Sequence, residues 1–496
     1  MTGVVYRSRL AGGLDGNALG YISSMSDDAE IIEYDILGSK AHVLMLHECG
    51  LLADDDVKDI LSALNKVRLG SNSEGAAEDI HEFVESEVIR IAGIKSGGRI
   101  HTARSRNDQV VLDMRLKIRD DINVLCGGVI DTVKKLLTLA EQHQKSVMPL
   151  YTHLQQAQAG TLSHYLLAQV DILLRDVERF GATYGRINKN PLGAGPVGGT
   201  SIRIDRRRTS QLLGFDGLVE NSIDATSSRD FAAEYVAALA ILMTNLSRIA
   251  EDLVIWSTSE FAFVEMADEF SSPSSVMPQK KNPDILEITR SKAADVIGSL
   301  VTVLSATKGL ATGYGRDLQQ IKSRVWSSTV ATAQAVGVIG SAVDKMTVNV
   351  EKMRKAAGEG HLVALDIAEK MVQYGTPFRQ AHKIAGLLVQ KAIEGGKGIP
   401  DLSRSEIKAV TGTSDDVERI YQITKETTIS SSLEDRISEG SSGFAEQSRM
   451  IQERRRLIDE QKATVQRRRN RIDESLAELG SAVDRLIEGK KTAQPQ

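Results

Sequence analysis

"FAAEYVAALAILMTNLSRIAEDLVIWSTSEFAF" occupies residues 231–263 and puts apolar side chains on almost every helical face. A surface helix shows one apolar stripe at a period of 3.6, so this stretch predicts a helix buried on most sides. Two more stretches of similar length have the same spacing: "ILEITRSKAADVIGSLVTVLSATKGL" at 285–310 and "IKSRVWSSTVATAQAVGVIGSAVDKM" at 321–346. At 1.5 Å per residue, about 25 residues make a rod of nearly 40 Å. Such rods bury their apolar sides against one another, which predicts a mostly α fold built on a long-helix bundle. A rod apolar all round has more surface than one chain covers, so the bundle is expected to continue into other copies.

Proline placement agrees. The nine prolines stand at 149, 191, 196, 273, 278, 283, 377, 400 and 495, leaving 1–148, 197–272 and 284–376 free of them. A length of 496 residues with 41% hydrophobic content supports a large core and several domains. A net charge of −5 and 4% aromatics argue against a nucleic-acid binder, which needs basic surface and stacking platforms. Cys49 and Cys126 form neither a disulfide framework nor a zinc spacing, as expected of a cytoplasmic protein. The N-terminal sequence lacks a signal-peptide core, and no apolar run approaches the ~20 residues that span a bilayer. "GAGPVGGT" at 193–200 lacks the Lys-Ser/Thr ending of a phosphate loop and reads as a turn between helices.

Beyond residue 440 the chain becomes highly charged, with Ile472, Leu476, Leu479, Val483 and Leu486 at heptad-like spacing. Its arginine clusters read as a solvated helical face.

Three polar clusters stand far apart: "HTARSRNDQ" at 101–109, "YTHLQQAQAG" at 151–160, and "SSPSSVMPQKKNPD" at 271–284, which runs on to Glu287. Prolines 273, 278 and 283 keep the third from becoming helix, and Asn282-Pro283-Asp284 reads as an N-cap with a first-turn proline and acid. Together the clusters hold cations and amide or hydroxyl donors (Arg106, Asn107, Thr152, Lys280, Asn282) with groups able to move protons (His153, Glu287, Ser274). That set suits a multiply anionic substrate.

"SSPSSVMPQKKNPDILEITR" closely resembles the G-S-S-x-M-P-x-K-x-N signature of the fumarase/aspartase superfamily, and its M-P-Q-K-K-N-P-D form resembles the argininosuccinate lyase family. "HTARSRNDQV", "YTHLQQAQ" and "GYGRDLQQIK" are similar to that family's H-T-G-R-S-R-N-D-Q-V, Y-T-H-L-Q-x-A-Q and T-Y-x-x-D-L-Q-x-x-K. "DATSSRDF", "PLGAGPVGG" and "GTPFRQAHK" also match, in order, over roughly residues 5–400.

The resemblance implies a three-domain lyase whose homotetramer has a 20-helix core, with each active site drawn from three subunits. It implies anti-elimination of argininosuccinate to arginine and fumarate, the last step of arginine biosynthesis, with no metal or organic cofactor. By the same resemblance Ser274 would be the base on a mobile loop and His153, paired with Glu287, the acid, or the two would exchange these jobs. Lys280 and Asn282 would hold the carboxylate on which charge develops. Ser105, Asn107 and Thr152 would grip the succinyl part, and Arg106, Tyr314, Gln319 and Lys322 the arginine part, with Ser24 as a further contact. The expected domains are 1–108 (mainly helical, with Ser24 and HTARSRND), 109–356 (the bundle, with YTHLQ and SSVMPQKKN), 357–440 (helical) and 441–496 (a charged helical tail).

Departures from the family pattern are Pro273 and Ala103 where it has glycine, Ala159 where it has proline, and "YRSRLAGG" in place of W-G-G-R-F. The rival readings are a sister lyase acting on adenylosuccinate, aspartate or malate, a non-catalytic structural member, and an RNA binder acting through the basic tail.

Overall fold

The computed structural model describes residues 15–70, 77–412 and 414–489; the "YRSRLAGG" segment lies outside them. After short helical turns at Gly16–Ile22 and Met25–Asp28 come α1 (Ile32–Glu48), α2 (Asp54–Leu64) and α3 (Ile80–Gly97). The 37-residue α4 (Arg106–Gln142) follows, then an antiparallel hairpin of β1 (Val147–Thr152) and β2 (Gln155–Thr161), then α5 (Leu162–Ile187) and α6 (Asp230–Trp256). A second small hairpin, β3 (Ser272–Pro273) with β4 (Lys281–Asn282), leads into α7 (Asp284–Thr307) and α8 (Lys322–Lys345). Shorter helices, among them α9 (Ala364–Gln373) and α10 (Phe378–Glu394), precede the 45-residue α11 (Phe444–Glu488).

The bundle is made by α4, α5, α6, α7 and α8, with α6 touching α5, α7 and α8. Helix α6 is therefore buried on several sides, as its composition predicts. It ends at Trp256, short of residue 263. Ser257 and Thr258 turn their hydroxyls back onto the Val254 and Ile255 carbonyls, at 2.9 and 2.7 Å, and such local bonds compete with helix continuation. The N-cap of α7 also differs from expectation. Pro283 takes the cap position without a capping side chain, and Asn282 stands one residue earlier, paired with Ser272 in the hairpin.

The bundle's longest rod, α4, is not among the three that apolar spacing singles out. Its buried positions include Asp113, Arg115, Arg119 and Asn123, which break the apolar count while facing inward. Arg119 reaches the Leu213 carbonyl at 2.7 Å, and Arg115 reaches the Arg186 and Ile187 carbonyls at 3.0 and 3.1 Å.

The tail folds back along α4 and also touches α5, α2 and α1. Ile451, Ile458, Val465, Ile472 and Leu479 are buried, one residue in every seven, with half-buried Leu486 continuing the series. The arginines beside this stripe are not simply a solvated face. Arg454 forks onto the Asp171 carboxylate at 2.8 and 2.9 Å, Arg469 donates to the Asn123 carbonyl at 2.9 Å, and Arg468 lies over the Tyr184 ring. A separate small core joins α9, α10 and neighbouring helices through Ile367, Met371, Leu388 and Ile407. No helix among the described residues is long and apolar enough to cross a membrane.

Ile458→Ala should cost about 2–4 kcal/mol by leaving a cavity under α11. The expected readout is a lower urea midpoint. Arg456→Ala, which removes only an exposed pair with Glu460 one turn away, should leave that midpoint nearly in place.

Candidate active site

The first polar group gathers where α4 and α8 begin. Lys322 and Asp28 are both fully buried and paired, and the Ser24 hydroxyl donates to the other Asp28 oxygen at 2.6 Å. Ser24 also lies 3.2 Å from Gln319 Oε1, and Gln319 Nε2 donates to the Tyr314 hydroxyl at 2.5 Å. A buried lysine needs a counter-charge, and Asp28 supplies it while also accepting from the Ile80 amide at 3.4 Å. Arg106 reaches Asp79 at 3.3 Å, and Arg316 pairs with Glu78 and donates to the Ile22 carbonyl at 2.7 Å. Ser24, Arg106, Tyr314, Gln319 and Lys322 thus lie together in one chain.

Beside them, Ser105 caps α4, accepting from the Asn107 amide at 3.3 Å, while Asp108 closes a capping box on the Ser105 amide at 3.0 Å. The second Asp108 oxygen accepts the amides of Gly193 and Gly195 at 2.9 and 2.8 Å, and Asn107 Nδ2 donates to the Pro196 carbonyl at 2.9 Å. Burial raises the Asp108 carboxyl to about 6 in spite of these donors. The glycine-rich stretch at 193–200 is therefore more than a turn: it wraps the start of α4 and fixes Asn107. A side chain at Gly195, where φ is +62°, would put its Cβ 2.9 Å from the Gly199 carbonyl oxygen.

Behind this wall the HTARSRND turn is tied to α1. His42 Nε2 meets the Thr102 carbonyl at 2.9 Å, with burial pushing His42 down to about 3, and Arg104 donates to Ser39 Oγ at 2.8 Å. Deeper still, Asp35, His81 and Asp113 form the one His/Cys/acid trio among the described residues with metal-ligand proximity. Its atoms already engage each other: His81 Nδ1 lies 3.0 Å from Asp35 and 3.4 Å from Asp113, and Gln109 donates to Asp35 at 2.5 Å. Burial, then the neighbouring Asp35 charge, raises the Asp113 carboxyl well above its usual range.

The second group sits on the β1–β2 hairpin. Thr152 and His153 are exposed at its tip, where His153 and Leu154 both have positive φ, +54° and +57°. That is a two-residue turn of the kind usually built from Asn-Gly, and here it carries a histidine and a leucine at a conformational cost.

The third group lies at the start of α7. The β3–β4 pairing at Ser272–Asn282 and Pro273–Lys281 closes the loop, with Pro273 on a strand edge where a missing amide is tolerated. Ser274 Oγ accepts the amides of Val276 and Met277 at 3.3 and 3.0 Å, an arrangement that favours negative charge on that oxygen. Lys280 and Glu287 are exposed and Asn282 is half-buried.

The first group does not meet the other two within one chain. Among the described residues no hydrogen bond or ion pair joins His153 to Glu287, Ser274 or Lys280. The 24 residues of α7 place the Ser274 loop and the Tyr314–Lys322 segment at opposite ends of a rod of about 36 Å. Likewise α4 begins at Arg106 and leads, after about 55 Å, to the His153 hairpin. The sequence reading missed Asp28 and Arg229. Burial lowers Arg229 to about 10 next to Tyr314, and it donates to the Thr226 and Ser228 carbonyls at 3.1 and 3.0 Å. Arg229 stands in the quoted "DATSSRDF", so a signal for it was present.

A long-helix bundle with polar motifs at both ends places the chain among the lyases of the fumarase/aspartase superfamily. An EDDS lyase in complex with formate superposes with a TM-score of 0.85 at 28% identity over 95% of both chains. A class II fumarase from Schistosoma mansoni shares the fold, with a TM-score of 0.69 at 15% identity over 82% of this chain and 94% of that one. The lyase family description matches residues 21–298, and the argininosuccinate lyase C-terminal description matches 361–429. An argininosuccinate lyase from Nitrosopumilus maritimus (strain SCM1) is 55% identical over 97% of this chain and 100% of its own length. One from Methanothrix thermoacetophila is 40% identical over 98% and 99%. The chain belongs to the argininosuccinate lyase family.

One departure from the family pattern has a local reading. Ala103 has φ +59°, a conformation that costs a residue with a Cβ roughly 1–2 kcal/mol and glycine nothing. Ala103→Gly should raise stability by about 0.5–1 kcal/mol after the added freedom of the unfolded glycine is subtracted. A thermal melt of the two proteins side by side reads this out; a lower midpoint for the glycine form would contradict it.

Proposed function

We propose that this chain carries out the anti-elimination of argininosuccinate to L-arginine and fumarate, at sites shared between copies of itself. Family membership supports the reaction, and one observation carries the choice of substrate. Tyr314, Gln319 and Lys322 gather round Ser24 within a single chain, giving a compact cluster of donors and acceptors for the arginine part.

In this reading Ser274 takes a proton from the carbon beside a succinyl carboxylate. Two loop amides already face its Oγ and lower the cost of the negative oxygen. The carbanion is held as an aci-carboxylate by Lys280 and Asn282. As the carbon–nitrogen bond breaks, its electron pair passes to the guanidino nitrogen, which receives a proton from His153 oriented by Glu287. One proton is removed and one delivered, and the route needs no metal or organic cofactor. Ser105, Asn107 and Thr152 hold the succinyl part, and Arg106 joins the arginine-side contacts.

The assembly that brings the groups together is a homotetramer, with three subunits contributing to each site and the enzyme working in the cytoplasm. The distances above support sharing, since the rods hold the Ser24–Lys322 group apart from the His153 hairpin and the Ser274 loop in one chain. The outer face of the bundle supports it too. Ile297, Val301 and Leu304 run exposed along one face of α7, an apolar stripe that another copy would cover. Antiparallel rods from two copies bring opposite ends together.

Fumarate release, followed by ultraviolet absorbance, should occur with argininosuccinate and not with adenylosuccinate, aspartate or malate. Ser274→Ala and His153→Asn should each lower kcat by about 10²–10⁴-fold. Co-refolding the two inactive proteins should recover part of the activity, because some mixed sites then draw an intact loop and an intact hairpin from different chains. Wild-type turnover in either variant would sink the residue roles; a mixture as dead as its components would sink the shared site.

A further inference from the structure

We infer that Arg436, seated by Asp366 and backed by Gln447, is a positioning residue for His153: the C-terminal segment sets where the hairpin tip lies. The inference rests on the reading of His153 as a catalytic group on a hairpin lent to another subunit's site.

A two-stranded hairpin standing alone is marginal in water. The β1–β2 pair also carries a register shift at Leu150/Tyr151 and the positive-φ turn at its tip. The helix Val350–Glu359 packs on β1 and Tyr151 meets Phe261, while the base of the hairpin is where its buried polar contacts are. The Ala159 carbonyl accepts from Arg436 Nη1 and, at 3.5 Å, from Ser442 Oγ. Two residues on, Thr161 Oγ1 donates to Gln447 Oε1 at 2.6 Å, and Gln447 Nε2 donates to the Ser442 carbonyl at 2.6 Å. Arg436 is seated in turn. Its Nη2 lies 3.2 Å from Asp366 Oδ1 and 2.9 Å from Ser432 Oγ, its Nη1 lies 2.7 Å from Ser442 Oγ, and Ser432 donates to Asp366 at 2.7 Å.

Ala159, Thr161 and Gln447 are completely buried, and Asp366, Ser432 and Ser442 nearly so. A buried charge pair stabilises little by itself but fixes geometry when each partner is satisfied, as both are here. The chain also comes as close as it can at this point. A Cβ on Gly443 would lie 2.0 Å from the Arg436 carbonyl oxygen, so only glycine lets the start of α11 pass beside Arg436. One segment remote in sequence, residues 432–447, thus converges on two residues of one strand and is itself seated by a second at Asp366. His153 stands six residues further along, about 20 Å at 3.3 Å per residue, so a small tilt at Ala159 is magnified at the imidazole.

Arg436→Ala should lower kcat/KM for argininosuccinate by about 10–100-fold, the scale of a roughly 1 Å misplacement, while the oligomer persists on size exclusion. Arg436→Lys, which keeps the charge but loses the fork, should restore part of it. The pattern in mixed oligomers is specific to the hairpin. Arg436→Ala subunits should regain activity when co-refolded with Ser274→Ala subunits and should not with His153→Asn subunits, because in that second mixture every hairpin is defective. Gln447→Leu, which leaves the Arg436–Asp366 pair in place, should follow the same pattern and covers the case of an Arg436 variant that does not fold.

Recovery with both partners, or with neither while His153→Asn and Ser274→Ala complement each other, overturns the inference and leaves the shared site standing. If that control pair fails, the shared-site reading is what has failed. The inference then stands or falls on Arg436→Ala and Gln447→Leu alone, and wild-type kcat/KM in both overturns it.

Discussion

The fixed rise of the α-helix governs this molecule. Helices of 24 and 37 residues are stiff spacers, and here they hold chemically complementary groups tens of ångströms apart. Ser24, Arg106, Tyr314, Gln319 and Lys322 stand at one end of the bundle; Thr152, His153, Ser274, Lys280 and Glu287 stand toward the other. No loop among the described residues bends the two ends together. The same rods present the apolar stripe of α7, so the feature that divides the polar groups also offers a surface on which copies can reunite them.

Polar burial does the precise placement. Asp28 holds Ser24 and Lys322, Asp108 ties the glycine-rich loop to the first turn of α4, and Arg436 ties the hairpin to the C-terminal segment. In each case a charged side chain out of water collects several donors or acceptors, and its position is over-determined as a result. The apolar core decides that helices pack; these few charged residues fix the polar groups around them.

What the sequence made legible follows from this division. The rods α6, α7 and α8 could be read because their buried positions are apolar at a helical period. The rod α4 could not be singled out, because Asp113, Arg115 and Arg119 face inward, the arginines reaching backbone carbonyls and Asp113 lying against His81. The β1–β2 hairpin gave no turn signal, since His-Leu stands where Asn-Gly would announce it. The polar clusters could be recognised as motifs, but their distribution over two ends of a bundle depends on packing that no local pattern encodes. The tail's arginines looked like solvent-facing charge because their partners, such as Asp171 and the Asn123 carbonyl, lie some 280 to 350 residues away in sequence.

The stripe on α11 has a consequence for how this segment can change. Its inward residues recur every seven positions, and on a straight helix such a row drifts about 20° per heptad. Over the five steps from Ile451 to Leu486 the drift reaches about 100°, so a helix that keeps the row inward must coil left-handed about its neighbours. A single inserted residue would rotate everything beyond it by about 100° and turn the row toward water. The segment changes length most easily by whole heptads, or by four residues, which turn the row only about 40° and are absorbed by local unwinding.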